Sequence, residues 1–195
     1  LFRGDRQDRA ASAARLESDG KYHYRNVIGP DEYHDRIDDN AYTNVMARWH
    51  LRIALDIVAW FRREHRQRHD ELMAKLGLTP GRLRQWEEVA RNIHWAQDPA
   101  TGLIEQFDGY FGLQAPDLAL LRDPDRTRSI QALLGIEGAA ATQVLKQPDI
   151  LMLQYLVPHL FRPESVRANY EYYDPRTDHE HGSSLGPSIS AIMAC

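Results

Sequence analysis

The feature that most constrains this chain is the stretch from position 41 to about position 65, where apolar residues recur every three or four positions. That spacing is the period of an α-helix. The apolar positions occupy more than one stripe of the helix surface, and they are Tyr42, Val45, Met46, Trp49, Ile53, Leu55, Ile57, Val58, Trp60 and Phe61. The pattern therefore predicts a largely buried helix that begins at Asn40 or Ala41 and ends near His65.

Start and stop signals predict further helices along the chain. Gly77 is the usual kind of residue for a left-handed C-cap, and Thr79 followed by Pro80 is a typical helix start. The remaining helices are expected over residues 5–18 and from about Asp149, Glu164 and Ser184, with a short strand within the alternating segment 21–28. The sequence thus predicts an all-α fold with short β-hairpin excursions, and a bundle, a helical solenoid and an α/α barrel all fit it.

The composition limits the kinds of partner that the chain is expected to bind. The net charge is −4 over 195 residues, so nothing predicts a general attraction to nucleic acid or to an anionic membrane. No apolar run approaches the ~20 residues that cross a bilayer. The one cysteine, Cys195, is the last residue, which excludes an internal disulfide and fits a reducing compartment. Because the chain starts without Met and stops within a helical pattern, we expect it to be a piece of a longer protein.

A polar cluster precedes the long helix, in the segment IGPDEYHDRIDDNAYTN at positions 28–44. Glu32 is the candidate acid in it, because neighbouring carboxylates and burial against an aromatic side chain favour the protonated form that an acid needs near neutral pH. Asp31, Tyr33 and Asp35 are available for this. Two structural interpretations stay open: acidic residues that cap the following helix, and, more weakly, a calcium loop without its usual glycine and closing glutamate.

A second candidate site lies in the segment TDHEHGSSLGPSISAIM, at positions 177–193. Ser183 and Ser184 immediately precede an apolar helix, whose first N–H groups and positive dipole end can hold an anion such as phosphate. His179 and His181 could add positive charge or hydrogen bonds. Ordinary capping by serine explains the same pattern, and a metal site is the weaker interpretation because adjacent ligands cannot easily surround one ion.

Lys146 and Gln147 form a third candidate, between an apolar extended piece and a helix. Their side chains can hydrogen-bond sugar hydroxyls, although a surface lysine and a polar cap would give the same pattern. The chain contains no glycine-rich nucleotide loop, zinc-ligand spacing, nucleophile elbow or kinase signature, which removes many enzyme classes.

Four segments together resemble glycoside hydrolase family 65, which includes maltose, trehalose and kojibiose phosphorylases. They occur in the family's order, and they are IGPDEYHDRIDDNAYTNVMA, DPATGLIEQFDGYF, VLKQPDILMLQYL and YYDPRTDHEHGSSLGPSISAIMA. The resemblance runs from about Lys21 to Cys195. It implies an (α/α)6 barrel, of which residues 1–195 would be a partial catalytic domain, the second half of the barrel. The isolated chain is then expected to be inactive, and the full-length protein to be cytoplasmic and, as family members often are, a homodimer.

The resemblance also implies roles for the candidate residues. Glu32 matches the family's general acid, and Lys146 and Gln147 match residues that hold the sugar at the cleaved linkage. His179, Ser183 and Ser184 match the loop that binds inorganic phosphate. The implied reaction is the inverting phosphorolysis of an α-glucosidic disaccharide of the kojibiose, maltose or trehalose type to β-glucose 1-phosphate. Its partners are the disaccharide and inorganic phosphate as co-substrate, with no metal or other cofactor.

One departure from the family pattern leaves a second reaction open. The phosphate loop is longer here and contains Glu180, and some family members are hydrolases with a glutamate general base at about this place. An inverting α-glucoside hydrolase with Glu32 as acid and Glu180 as base is therefore the alternative. A helical binding module without chemistry is the alternative from another class, and the four ordered segments argue against it.

Overall fold

The computed structural model describes residues 13–195, and most of the regular structure in them is helical. The helices are α1 (Ala41–Glu64), α2 (Arg66–Leu76), α3 (Pro80–Asn92), α4 (Leu118–Leu121), α5 (Ile130–Ala140), α6 (Asp149–Leu156), α7 (Pro163–Tyr173) and α8 (Leu185–Met193). Two short strands, β1 (Arg15–Leu16) and β2 (Tyr22–His23), pair antiparallel. The all-α class with a β-hairpin excursion is confirmed. Among residues 13–195, no helix combines the length and apolar character that crossing a bilayer requires.

The chain divides into two compact units. One contains the residues up to position 25 and residues 44–94, and the other contains residues 26–43 and 95–195. Every candidate site residue belongs to the second unit.

The long helix α1 has the predicted bounds, but its predicted burial is wrong for its second half. Ile53, Ile57 and Trp60 are exposed. Within the same unit, α2 buries no residue at all, so it leaves this apolar face uncovered. Periodicity identifies the helix and its apolar faces, but it does not state how much of each face the chain itself covers.

Local signals predicted the helix ends and the hairpin correctly. Gly77 ends α2 in the left-handed region, with φ 60°, and Thr79 Oγ1 accepts a hydrogen bond from Arg82 N at 3.2 Å at the start of α3. The strand expected within residues 21–28 is β2. The helix expected over residues 5–18 lies largely outside the described residues, and Arg15–Leu16, in its described part, form β1 instead.

The core of the second unit lies where α6 packs against α7 and α8. Its buried members are Ala41, Ile104, Phe107, Tyr110, Leu145, Ile150, Leu151, Tyr173 and Ile189. A smaller cluster contains Tyr33, Leu121, Ile130, Ala139 and Val144. Since Tyr33 follows Glu32 in the sequence, the second cluster anchors the candidate acid segment.

A single parallel β-bridge between Leu145 and Thr177 holds two candidate segments side by side. Leu145 N donates to Arg176 O at 2.9 Å, and Asp178 N donates to Leu145 O at 2.8 Å. The bridge places Lys146 and Gln147, which follow Leu145, next to the loop that starts at Asp178. Two of the three sequence candidates are therefore neighbours in the fold.

Candidate active site

Glu32 and Lys146 form an ion pair at the centre of the candidate site. The Lys146 ammonium donates to the Glu32 carboxylate, although the two residues are far apart in the sequence. The Glu32 side chain is 56% exposed, and that of Lys146 is 30% exposed. The burial that the sequence predicted for Glu32 is therefore wrong, and a pair this open to water adds little to stability.

A buried aspartate, Asp31, holds this pair in place. Its Oδ1 accepts from Lys146 N at 2.8 Å, and its Oδ2 lies 2.6 Å from His34 Nδ1 and accepts from Gln106 Nε2 at 3.2 Å. Asp31 is 1% exposed. The residue immediately before the candidate acid therefore binds the backbone of the candidate sugar-binding lysine.

Asp149, at the first position of α6, holds the other side of the acid segment. Its Oδ1 accepts from Asp31 N at 2.7 Å, and its Oδ2 accepts from Asn40 Nδ2 at 2.9 Å. Burial, followed by the nearby charge of Asp31, raises the pKa of the Asp149 carboxyl well above its ordinary range. The sequence indicated Asp149 only as a helix start.

Gln147 is buried next to Lys146, and its side-chain Oε1 has no hydrogen-bond partner among the described residues. A buried amide oxygen without a partner is rare, because its desolvation is unfavourable. This oxygen can accept a hydrogen bond from a sugar hydroxyl, which fits the role that the resemblance implies.

The serine loop, defined here as residues 179–184, packs against the backbone of Lys146. A Cβ placed on Gly182 would lie 2.4 Å from Asp178 O and 3.1 Å from Lys146 O, so only glycine fits there. The loop leads into α8, where Ser183 Oγ accepts from Leu185 N at 3.3 Å. The Ser184 side chain makes no cap hydrogen bond.

His179 lies under the start of α8. Its Nε2 is 3.0 Å from Asp174 O, and because a carbonyl oxygen only accepts, this nitrogen carries a hydrogen. The other ring nitrogen, Nδ1, is buried and has no partner among the described residues. It would lie 3.4 Å from a Cβ on Gly186, so the ring supports the first turn of the helix.

Glu180 is the second residue of the serine loop. It is exposed and lines a cavity of about 470 Å³ together with Arg122, Asp123, Asp174 and His181, among other residues. Glu32, Lys146, Ser183 and Ser184 are not among the described residues that line this cavity. His179, another residue of the serine loop, does line it, so the cavity that contains Glu180 adjoins the candidate phosphate site.

The described residues also contain one His/Asp cluster outside the candidate site. Asp19 lies 3.2 Å from His23 Nε2, and the rings of His23 and His94 stack at 4.8 Å with their planes 24° apart. A metal ion binds in the plane of each imidazole that ligates it, and two stacked rings do not direct their lone pairs to one point. The arrangement is therefore a stacked pair with an aspartate partner.

Comparisons with known proteins identify the family of this chain. Residues 10–195 match the family described as "Glycosyl hydrolase family 65 central catalytic domain". The chain belongs to glycosyl hydrolase family 65. It is 36% identical to a kojibiose phosphorylase of Caldanaerobacter subterraneus subsp. tengcongensis over 94% of this chain and 24% of that protein. It is 35% identical to the 1,2-alpha-glucosylglycerol phosphorylase of Bacillus selenitireducens over 90% of this chain and 22% of that protein.

One solved structure is similar to this chain over nearly its whole length. It is described as "Putative kojibiose phosphorylase from human microbiome", with a TM-score of 0.82 and 30% sequence identity, and the match covers 98% of this chain and 26% of that one. The chain thus spans about a quarter of the length of the proteins that it matches.

We predict that Gly29→Ala destabilises the protein by about 1–3 kcal/mol. The new Cβ would lie 2.2 Å from Asp149 Oδ2 and 2.6 Å from Asn40 Nδ2, and both atoms belong to a buried hydrogen bond. Gly112→Ala is the control, because a Cβ there meets nothing within 4 Å. Thermal unfolding of both variants measures the difference, and equal melting temperatures would contradict the packing described here.

We predict that Asp149→Asn gains stability relative to the wild type as the pH rises from about 4 towards neutrality. In the unfolded chain an aspartate ionises near pH ~3.9, whereas the raised pKa keeps Asp149 protonated in the fold. The wild-type fold therefore binds more protons than the unfolded chain in this range and loses stability as the pH increases. Melting temperatures of both proteins across this range test it, and a difference that is independent of pH would contradict it.

Proposed function

We propose that the protein containing this chain phosphorolyses an α-glucosidic disaccharide with inversion, and releases β-glucose 1-phosphate and a sugar. The observation that carries the proposal is the contact of Glu32 with Lys146 beside the serine loop, within a family 65 chain. The phosphorylase names of the similar proteins support the same reaction class.

Glu32 acts as the general acid in this proposal. As the glycosidic C–O bond breaks, the Glu32 carboxyl gives its proton to the departing oxygen. Its exposed side chain can reach a bound sugar, and the buried neighbours Asp31 and Tyr33 hold its backbone. A rigid backbone limits the positions that the acid can adopt, which favours proton transfer.

Lys146 and Gln147 bind the sugar at the cleaved linkage. Without substrate, the Lys146 ammonium pairs with Glu32. A sugar hydroxyl can replace part of that pairing, while the unpartnered Gln147 Oε1 accepts a second hydroxyl. Donors and acceptors of this kind, close to one acid, suit a polyol substrate better than an apolar one.

The serine loop supplies the site for phosphate. The positive dipole end at the start of α8 favours an anion, and the Ser184 hydroxyl makes no cap hydrogen bond. The first two N–H groups of α8 already donate to Ser183, so the serine hydroxyls are the donors proposed for phosphate. Phosphate is itself the nucleophile: one of its oxygens bonds to the anomeric carbon as the leaving oxygen departs from the opposite face. No second carboxylate is then required.

The names of the similar proteins favour phosphorolysis over hydrolysis. A general base in an inverting hydrolase lies ~6.5–9.5 Å from the acid, across the sugar. Glu180 lines a cavity together with His179 of the candidate phosphate site. The hydrolase with Glu180 as base is the less supported reaction because the similar proteins that carry a reaction name are phosphorylases.

We predict that Glu32→Gln lowers kcat of the complete protein by at least about 10³-fold, because the amide has no proton to donate. The assay measures phosphorolysis of kojibiose, trehalose, maltose and nigerose. Glu171→Gln is the matched control, because Glu171 is also exposed and also pairs with a cation, Arg167. If Glu32→Gln kept most of the activity, Glu32 would not be the acid.

We predict that Glu180→Gln leaves the phosphate-dependent activity within about threefold of the wild type, since the proposed phosphorolysis gives Glu180 no proton to transfer. Glucose and glucose 1-phosphate release are measured with and without phosphate. Release of glucose without phosphate, abolished by Glu180→Gln, would instead establish the hydrolase. No turnover of any of these α-glucosides by the complete protein would support the non-catalytic binding module.

A further inference from the structure

Asp178 is a buried aspartate to which the proposed reaction assigns no role. Its Oδ1 accepts from Arg126 Nη2 at 2.6 Å and from His181 N at 3.3 Å. Its Oδ2 accepts from Tyr33 OH at 3.1 Å and from Ile130 N at 3.0 Å. Four donors thus converge on one carboxylate that is 0% exposed.

The charge of Asp178 is stabilised by these donors. Burial by itself would raise the pKa of this carboxyl, but the hydrogen bonds from Arg126 and the backbone, together with the Arg126 charge, lower it below its usual value. The side chains of Arg126 and Asp178 are 2% and 0% exposed. A buried pair of this kind is weak evidence for stability, because desolvation opposes the Coulomb attraction. A role in holding a particular geometry is the alternative explanation.

One arm of this arrangement is the hydrogen bond from Tyr33 to Asp178. It connects Asp178 to the acid segment, the stretch that carries Glu32. Tyr33 follows Glu32, is 3% exposed, and donates its hydroxyl hydrogen to Asp178. Burial, followed by the charge of Asp178, raises the pKa of Tyr33 to about 12. The hydroxyl therefore remains a donor throughout the pH range in which an enzyme of this kind is assayed.

The other arm is the set of hydrogen bonds from His181 N and Gly182 N to Asp178, and it connects Asp178 to the serine loop. Besides the bond from His181 N to the carboxylate, Gly182 N donates to Asp178 O at 2.9 Å. The His181 ring donates from Nε2 to Arg126 O at 2.6 Å. Asp178 and Arg126 together hold the backbone that leads into Ser183 and Ser184.

We propose that Asp178, supported by Arg126, is a positioning residue that sets the distance between the acid Glu32 and the anion-binding serine loop. This inference rests on the proposed phosphorolysis. In that reaction the acid acts on one side of the anomeric carbon while phosphate attacks from the other, so the rate depends on their separation. A misplacement of about 1 Å can lower a rate by about 10²-fold. A carboxylate bonded to both segments fixes that separation directly.

The test compares three variants of the complete protein. Tyr33→Phe removes only the arm to the acid segment. Asp178→Asn replaces the carboxylate by an amide of the same shape and so weakens both arms. Tyr173→Phe is the matched control: Tyr173 is also a buried tyrosine, and its hydroxyl donates to a backbone oxygen, Ile104 O, which belongs to neither segment.

Two measurements separate positioning from general stability. The first is the pair kcat and KM for phosphate, and the second is the rise in melting temperature caused by added inorganic phosphate, which requires no turnover. Tyr33→Phe is expected to lower kcat about 10-fold. The KM for phosphate and the rise in melting temperature caused by phosphate are expected to stay unchanged. Asp178→Asn is expected to lower kcat further, to raise that KM at least fivefold and to reduce the thermal rise. Tyr173→Phe is expected to lower only the melting temperature.

The outcomes distinguish this inference from the proposed function. If the wild type phosphorolyses an α-glucoside but Tyr33→Phe behaves like Tyr173→Phe, Asp178 has no positioning role and the function stands. If Asp178→Asn loses stability but changes neither the KM for phosphate nor the phosphate-induced rise in melting temperature, Asp178 does not position the serine loop. If the wild type shows no phosphate-dependent turnover, the proposed function itself fails.

Discussion

The arrangement of the candidate site depends on the bond between the Asp31 carboxylate and the backbone N–H of Lys146. It joins the segment that carries the candidate acid to the segment that carries the candidate sugar-binding pair, Lys146 and Gln147. The parallel bridge at Leu145 then joins that second segment to the serine loop. Through these two connections, three stretches that are distant in the sequence meet in one place. Without the first, the contact between Glu32 and Lys146 would be only a flexible surface ion pair.

Buried aspartates hold the exposed candidate groups in place. Asp31, Asp149 and Asp178 are at most 1% exposed, and polar groups buried to this extent need hydrogen-bond partners. Asp149 is protonated here, because burial raises the pKa of its carboxyl. Each accepts hydrogen bonds from a segment other than its own. The residues proposed to touch the substrate remain partly open to solvent, whereas the residues that orient them are in the core. Rigid support beneath accessible groups is what a preorganised site requires.

The sequence predicted features that depend on local signals and missed those that depend on distant ones. The bounds of α1, the Gly77 C-cap and the Thr79 N-cap follow from neighbouring residues, and all were predicted. The burial of the second half of α1 was predicted wrongly, because a periodic pattern does not specify what covers it. The contacts of Asp149 and Asp178 could not be predicted, since their partners Asp31 and Tyr33 are more than a hundred positions away. The proposed roles of Glu32 and Lys146 came from the family resemblance.

The most direct test of this account is the anomeric form of the product. The account places one acid, Glu32, opposite one phosphate nucleophile, so a single displacement must invert the anomeric carbon. Proton NMR of the glucose 1-phosphate that the complete protein releases from kojibiose and phosphate measures this directly. The account predicts the β-anomer as the sole product. Release of α-glucose 1-phosphate would require two displacements or a front-face attack, and would contradict it.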